Sequence, residues 1–159
     1  MTVAKTLHEF LEARDIPESV LRHSHTSCSS ETAEAAHVPG RQLAKGVVLR
    51  TQDDYHLLVV IPTHRRLVIE KVTDYYGGSL TLAEERELKA LFPDCETGAV
   101  PALGMAYQLP TYIDEALLKQ DMVFLEAGDH ESLLGMSGET LAELFEASTI
   151  GDFSRPNHH

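Results

Sequence analysis

The chain is short of basic side chains, of cysteine and of long apolar runs. Thirteen Lys and Arg stand against 25 Asp and Glu, a formal net charge of −12. A protein that grips nucleic acid along its phosphates usually carries the opposite excess, so DNA and long duplexes are not expected partners. An acidic protein can still hold the end of a nucleic acid in a local basic pocket. The two cysteines, Cys28 and Cys95, lack metal-ligand spacing and make a poor disulfide framework. They read as free thiols in a reducing compartment. The longest apolar stretch, Leu57 to Pro62, is too short to span a bilayer. The opening residues carry no apolar signal region, so a cytoplasmic location and no membrane association are expected. Gly-x-Gly-x-x-Gly and phosphate-binding loops are missing, as are a Gly-x-Ser-x-Gly elbow and an His-Glu-x-x-His helix.

Apolar residues make up 43 % of the 159 and charged residues 24 %, ordinary usage for one globular domain with a real core. Val3, Leu7, Phe10 and Leu11 recur at helical spacing, which predicts a helix over 3–14 that Pro17 keeps short. A short strand over 19–25 and an alanine-rich helix follow, capped by Ser29 or Ser30 and stopping near Val38 to Gly40. Lys45–Arg50 and Tyr55–Ile61 read as a hairpin around Gln52, Asp53 and Asp54. Residues 65–76 suit a helix ended by Gly77 and Gly78. Thr81 and Glu84 have capping-box spacing for a helix through Leu91. Strands are expected over 105–109, 111–113 and 122–127, a turn at Gly128 to His130, and a last helix over 138–147 capped by Ser137. The fold class expected is α+β: one domain over 1–150 with a mixed sheet and surrounding helices, and a loose polar tail over 151–159.

Several groups could carry chemistry. His23 and His25 lie at i, i+2 on one face of a strand and could share a metal with His37, His56, His64 or His130. Nine histidines without ligand spacing more simply read as scattered polar residues. Ser27, Ser29 and Ser30 suit capping better than nucleophilic attack. The segment Gly98 to Gly104, with Pro101 between its glycines, suggests a fixed loop that brings backbone groups close to a ligand, or an ordinary turn. Lys45 opens an apolar strand, either as an edge charge in water or as a cation at the mouth of a pocket. His130 sits in a loop just after a strand, where function often resides.

Four segments in order resemble the YbaK-like aminoacyl-tRNA editing domains, relatives of the editing insertion of prolyl-tRNA synthetases. These are His25 to Ala36, Leu43 to Arg50 with its lysine, Gly98 to Gly104, which is similar to a Gly-x-x-Pro-Pro-x-Gly loop, and Glu126 to His130. The resemblance spans about residues 5–147. It departs at Ala102, where a second proline is common, and at Gly46, where some subgroups carry a polar side chain.

The resemblance implies a largely antiparallel mixed sheet curled into a barrel-like core. It implies a trans-acting deacylase that cleaves the ester of mischarged tRNA without metal or other cofactor. Lys45, Gly98 and His130 are the implied catalytic set: Lys45 for the phosphate or sugar end, the Gly98 backbone for the aminoacyl group or water, His130 for orientation. Thr26, Ser27, Ser30, Gly46, Val100, Pro101 and Gly104 are the implied substrate-binding residues. The implied partner is the acceptor end of mischarged tRNA, with an aminoacyl-tRNA synthetase as a further alternative. An ester is already activated, so orientation, a placed water and polar stabilisation of the oxyanion suffice. A non-catalytic module that binds aminoacyl-tRNA or a partner protein is the rival reading.

Overall fold

The computed structural model describes residues 3–26 and 29–157. Ser27, Cys28 and His158–His159 lie outside the described residues, as do the side chains of Ser29 and Ser30, the two capping candidates. The chain runs α1 (Lys5–Ala13), β1 (Val20–Arg22), α2 (Ser29–Ala36), β2 (Leu43–Thr51), β3 (His56–Pro62), β4 (Arg65–Leu67), α3 (Ile69–Tyr76), β5 (Leu80–Leu82) and α4 (Glu85–Leu91). After a long loop and a 3-10 turn at Gly104–Tyr107 come β6 (Thr111–Asp114), β7 (Met122–Glu126), β8 (Ser132–Ser137), α5 (Gly138–Leu144), β9 (Thr149–Gly151) and β10 (Ser154–Pro156).

The main sheet has the strand order β1-β8-β7-β2-β3-β6-β9, with β5 added against β2. It is mixed: β2–β7, β3–β6 and β6–β9 are parallel, the other pairs antiparallel. The path ends on β1 and β9, so among the described residues the sheet is open and not a closed barrel.

Strand β3 explains why its sequence is continuously apolar. Leu58 and Val60 join a large core with Leu7, Leu11, Val123, Leu125 and Phe145 on one face. Leu57, Val59 and Ile61 join a second core with Leu49, Val72 and Phe153 on the other. A strand buried on both faces has no polar side to show, so alternation disappears. Each of these fully buried aliphatic side chains contributes about 1.5–3 kcal/mol of transfer free energy.

The hairpin closes as expected, with Asp54 in the left-handed region at φ 63° and the Tyr55 amide on Thr51 Oγ1. Gly77 ends α3 at φ 83°, a conformation a Cβ would oppose. Other elements differ from the sequence reading. Residues 65–67 form β4 before the helix begins at Ile69, because that segment pairs with the chain end. The capping box of α4 is Glu84 with Glu87, three residues later than Thr81 and Glu84, since Thr81 is taken up in β5 against Arg50. Residues 104–107 coil instead of extending.

Residues 151–156 are not loose. Ser154–Pro156 pairs with β4, and Phe153 is fully buried in the second core. Asp114 holds it, accepting from the Phe153 amide and the Ser154 hydroxyl. One aromatic anchor in a polar stretch outweighs the composition around it.

Candidate functional site

The site forms where two parallel strands part. β2 and β7 pair only at Leu43 with Phe124 and Ala44 with Leu125. The next residues along each strand are Lys45 and Glu126. There the strands diverge, and a small polar cleft of about 30 Å³ opens, lined by Ala44, Lys45, Gly46, Gly98, Val100, Glu126 and His130. Lys45, Gly98 and His130, expected together, do meet at this cleft with Gly46 and Val100.

Lys45 is exposed at the cleft and makes no ion pair among the described residues. Gly46 behind it lets the second wall approach: a Cβ there would lie 3.1 Å from Leu58 Cδ1 and 3.4 Å from Val100 Cγ1. A polar side chain at this position would press on Val100.

The wall carrying Gly98 is bolted to the turn after β7. His130 is only 6 % exposed, and its Nε2 lies 2.8 Å from the Thr97 carbonyl. A carbonyl only accepts, so Nε2 carries the proton. The Glu96 amide donates to the Gly128 carbonyl at 2.8 Å, a second bolt between the same segments. Gly98 itself has φ 82°, and a Cβ would sit 3.7 Å from the His130 ring. The Ala99 amide is used within the loop, on Glu96 O, whereas the Gly98 and Val100 amides have no protein acceptor among the described residues. Two N–H groups beside one cleft are the kind of donors an oxyanion needs.

The sequence reading did not single out Glu126 as a site residue. Its Oε1 accepts from the Ala127 and His130 amides, both at 3.2 Å. Burial pushes its carboxyl above the usual range, against the opposing pull of His130 and these amides. Its place beside Lys45 follows from the β2–β7 register, a long-range pairing that no local pattern announces.

Other expected residues stand back from the cleft. Thr26 supports His130 from behind: its amide donates to the His130 carbonyl at 3.2 Å, and its hydroxyl bonds Thr32. Pro101 is buried beyond Val100 in the loop. Gly104 is a packing glycine, since a Cβ would fall 2.1 Å from Thr111 Oγ1. Ser27 and the Ser30 side chain lie outside the described residues.

The histidines considered for a metal separate. His23 Nδ1 donates to the Ser24 carbonyl, while His25 Nε2 meets Glu96 Oε2 at 3.0 Å and packs edge-on against His130. His56 is held by Glu87. Among the described residues no three His, Cys, Asp or Glu gather as ligands. Burial pushes the Cys95 thiol up to about 12, which disfavours the thiolate that a nucleophile needs.

No curated protein matches the chain by sequence. It superposes on the hypothetical protein APE2540 with TM-score 0.83 and 24 % identity, covering 95 % of this chain and 100 % of that one. A second crystal structure, provisionally assigned as a trans-editing enzyme for prolyl tRNA synthetase, matches with TM-score 0.82 and 25 % identity over 96 % of each chain. A signal transduction protein from Marinobacter aquaeolei VT8, also so assigned provisionally, matches at TM-score 0.73 and 21 % identity, with 94 % of this chain covering 30 % of that one. The model of the aminoacyl-tRNA editing domain matches residues 23–144, which contain every residue that lines the cleft. The chain belongs to the aminoacyl-tRNA editing domain family.

Proposed function

We propose that the protein is a trans-acting deacylase that hydrolyses the ester of mischarged tRNA. Membership of the editing family supports an aminoacyl-tRNA editing role. The observation that carries the finer reading is the convergence of Lys45, the Gly98 loop and the His130 turn on one cleft.

In this reading the Lys45 ammonium pairs with the terminal phosphate of the acceptor end. The ester carbonyl points at the loop, where the Gly98 and Val100 amides receive the charge that develops on its oxygen. Water attacks the carbonyl carbon, the bond to the ribose oxygen breaks, and the proton passes to that leaving oxygen. His130 is a positioning residue: its Nε2–H is committed to Thr97 O, so the ring holds the loop in register. A narrow cleft favours small aminoacyl groups, although each methylene is worth only roughly 1–3 kcal/mol in discrimination.

Turnover separates this reading from a binding module. Purified protein is mixed with excess mischarged tRNA, and release of free amino acid is followed. Many equivalents per protein are expected. Saturable binding with the ester intact would assign the cleft to binding alone.

A further inference from the structure

The acidic total charge conceals a segregated surface. From Arg41 to Lys71 the chain holds Arg41, Lys45, Arg50, Arg65, Arg66 and Lys71, against the acids Asp53, Asp54 and Glu70. Asp53 and Asp54 sit at the tip of the β2–β3 hairpin. The cations Arg41, Arg65 and Arg66 gather at its other end, the end that carries Lys45. The turn before β2 packs on the turn after β3: a Cβ on Gly40 would lie 3.0 Å from His64 Cβ, and the Thr63 amide donates to Leu43 O. Arg41 is thereby brought beside His64 and Arg65.

The small β4–β10 ribbon extends this surface. Its register sets Arg66 directly opposite Arg155. Both are exposed, as is Arg41, and none of the three has a carboxylate partner among the described residues. Like charges facing each other across a ladder destabilise it. The cations behind them are spoken for: Arg65 donates to Ser154 Oγ and O, and Lys71 pairs with Asp152. Burial and then the charges of Arg65 and Arg41 hold His64 below its usual range, in keeping with a positive local potential. Charge on an exposed ribbon can serve merely to block edge pairing. That needs one cation, not two face to face with a third nearby.

The ribbon lies on the Lys45 side of the sheet. Alternation along β2 puts Lys45 on the face of Val47 and Leu49, and Phe153 and Leu67 pack against that face. We propose that Arg41, Arg66 and Arg155 form a docking surface for the phosphate backbone of an RNA duplex that leads into the Lys45 cleft. This rests on the deacylase reading for its choice of polyanion. It supplies the local basic site that an acidic protein needs to hold one end of a nucleic acid.

The test is binding of an uncharged RNA hairpin, matching an acceptor stem with its single-stranded end, across a salt series. The variant Arg41→Gln/Arg66→Gln/Arg155→Gln is compared with wild type and with Lys5→Gln/Lys89→Gln/Lys119→Gln, which removes equal charge elsewhere. At about 0.1 M salt the arginine variant is expected to lose at least tenfold in affinity, and its log–log salt slope to fall by about 2 to 3, at roughly 0.7–0.9 per phosphate contact. The lysine variant should match wild type. Equal losses in both variants, no loss in either, or no binding by wild type would each overturn the proposal. So would wild-type preference for phosphatidylserine vesicles or polyglutamate over the hairpin. Hydrolysis of an aminoacyl-adenosine ester, which has no duplex to dock, should be unchanged in the arginine variant. If hydrolysis fails in wild type while the hairpin still binds through the arginines, the deacylase reading fails and the docking surface stands.

Discussion

The His130 ring donates through Nε2 to the Thr97 carbonyl at 2.8 Å, tying the turn after β7 to the loop that carries Gly98. Replacing the ring should therefore act through the loop. His130 has φ 59°, so asparagine, which tolerates that region, removes the ring with little added backbone cost. His130→Asn is expected to lower kcat ten- to hundredfold with a smaller change in KM, as misplaced reacting groups do. Hydrogen exchange at the Glu96 and Ala99 amides should quicken in the same variant. Normal kcat with quickened exchange would separate the bolt from catalysis.

Gly98 gives a backbone test. At φ 82° an alanine is strained by about 1–2 kcal/mol, although its Cβ would meet the His130 ring at an ordinary 3.7 Å. Gly98→Ala should lower the unfolding free energy by that amount in a denaturant titration and cut deacylation at least tenfold. A stability loss with full activity would remove the loop amides from the mechanism.

Gly104 was expected in the substrate site, and its surroundings point to packing alone. Gly104→Ala should destabilise the fold by roughly 1–3 kcal/mol, the usual range for overpacking. Thr111→Ala removes the atom that an added Cβ would strike at 2.1 Å. The double variant should regain part of the loss, while KM for substrate stays unchanged throughout. A KM effect that survives the double substitution would return Gly104 to the site.

Two glutamates should respond to pH with opposite signs. The Glu126 carboxyl is raised by burial, so the folded state holds its proton more tightly than the unfolded state. Its ionisation then costs stability as pH rises above the ordinary carboxylate range. Glu126→Gln should melt higher than wild type at pH 7, and the two should converge near pH 4. Glu87 is depressed to about 2, first by the Glu84 amide and then by His56. Its stabilisation is present above the ordinary carboxylate range and is lost as pH falls toward about 2. The advantage of wild type over Glu87→Gln should fade over that lower window, as followed by thermal melts.

The sequence was most informative where chemistry is local. The β2–β3 hairpin, the Gly77 stop, the Ser137 cap and the α+β class were legible from turn residues, left-handed glycine and apolar runs. The family resemblance brought Lys45, Gly98 and His130 into view. What stayed hidden depends on pairing at a distance. Glu126 enters the cleft only through the parallel β2–β7 register. The last strand is held by Phe153 and Asp114, which stand 39 residues apart. The strand order, which ends on β1 and β9, likewise depends on pairings between distant segments. Residues 65–67 carry enough charge to look like a helix surface, yet they pair with Ser154–Pro156.

The most direct measurement is the rate of amino-acid release from a panel of mischarged tRNAs, with wild type beside Lys45→Ala. Lys45 is exposed and packs against no core, so the variant should fold normally, which circular dichroism will check. Multiple-turnover hydrolysis of a substrate carrying a small amino acid is expected, reduced at least a hundredfold by Lys45→Ala. Hydrolysis that is indifferent to Lys45, or no hydrolysis of any tRNA in the panel, would contradict this expectation.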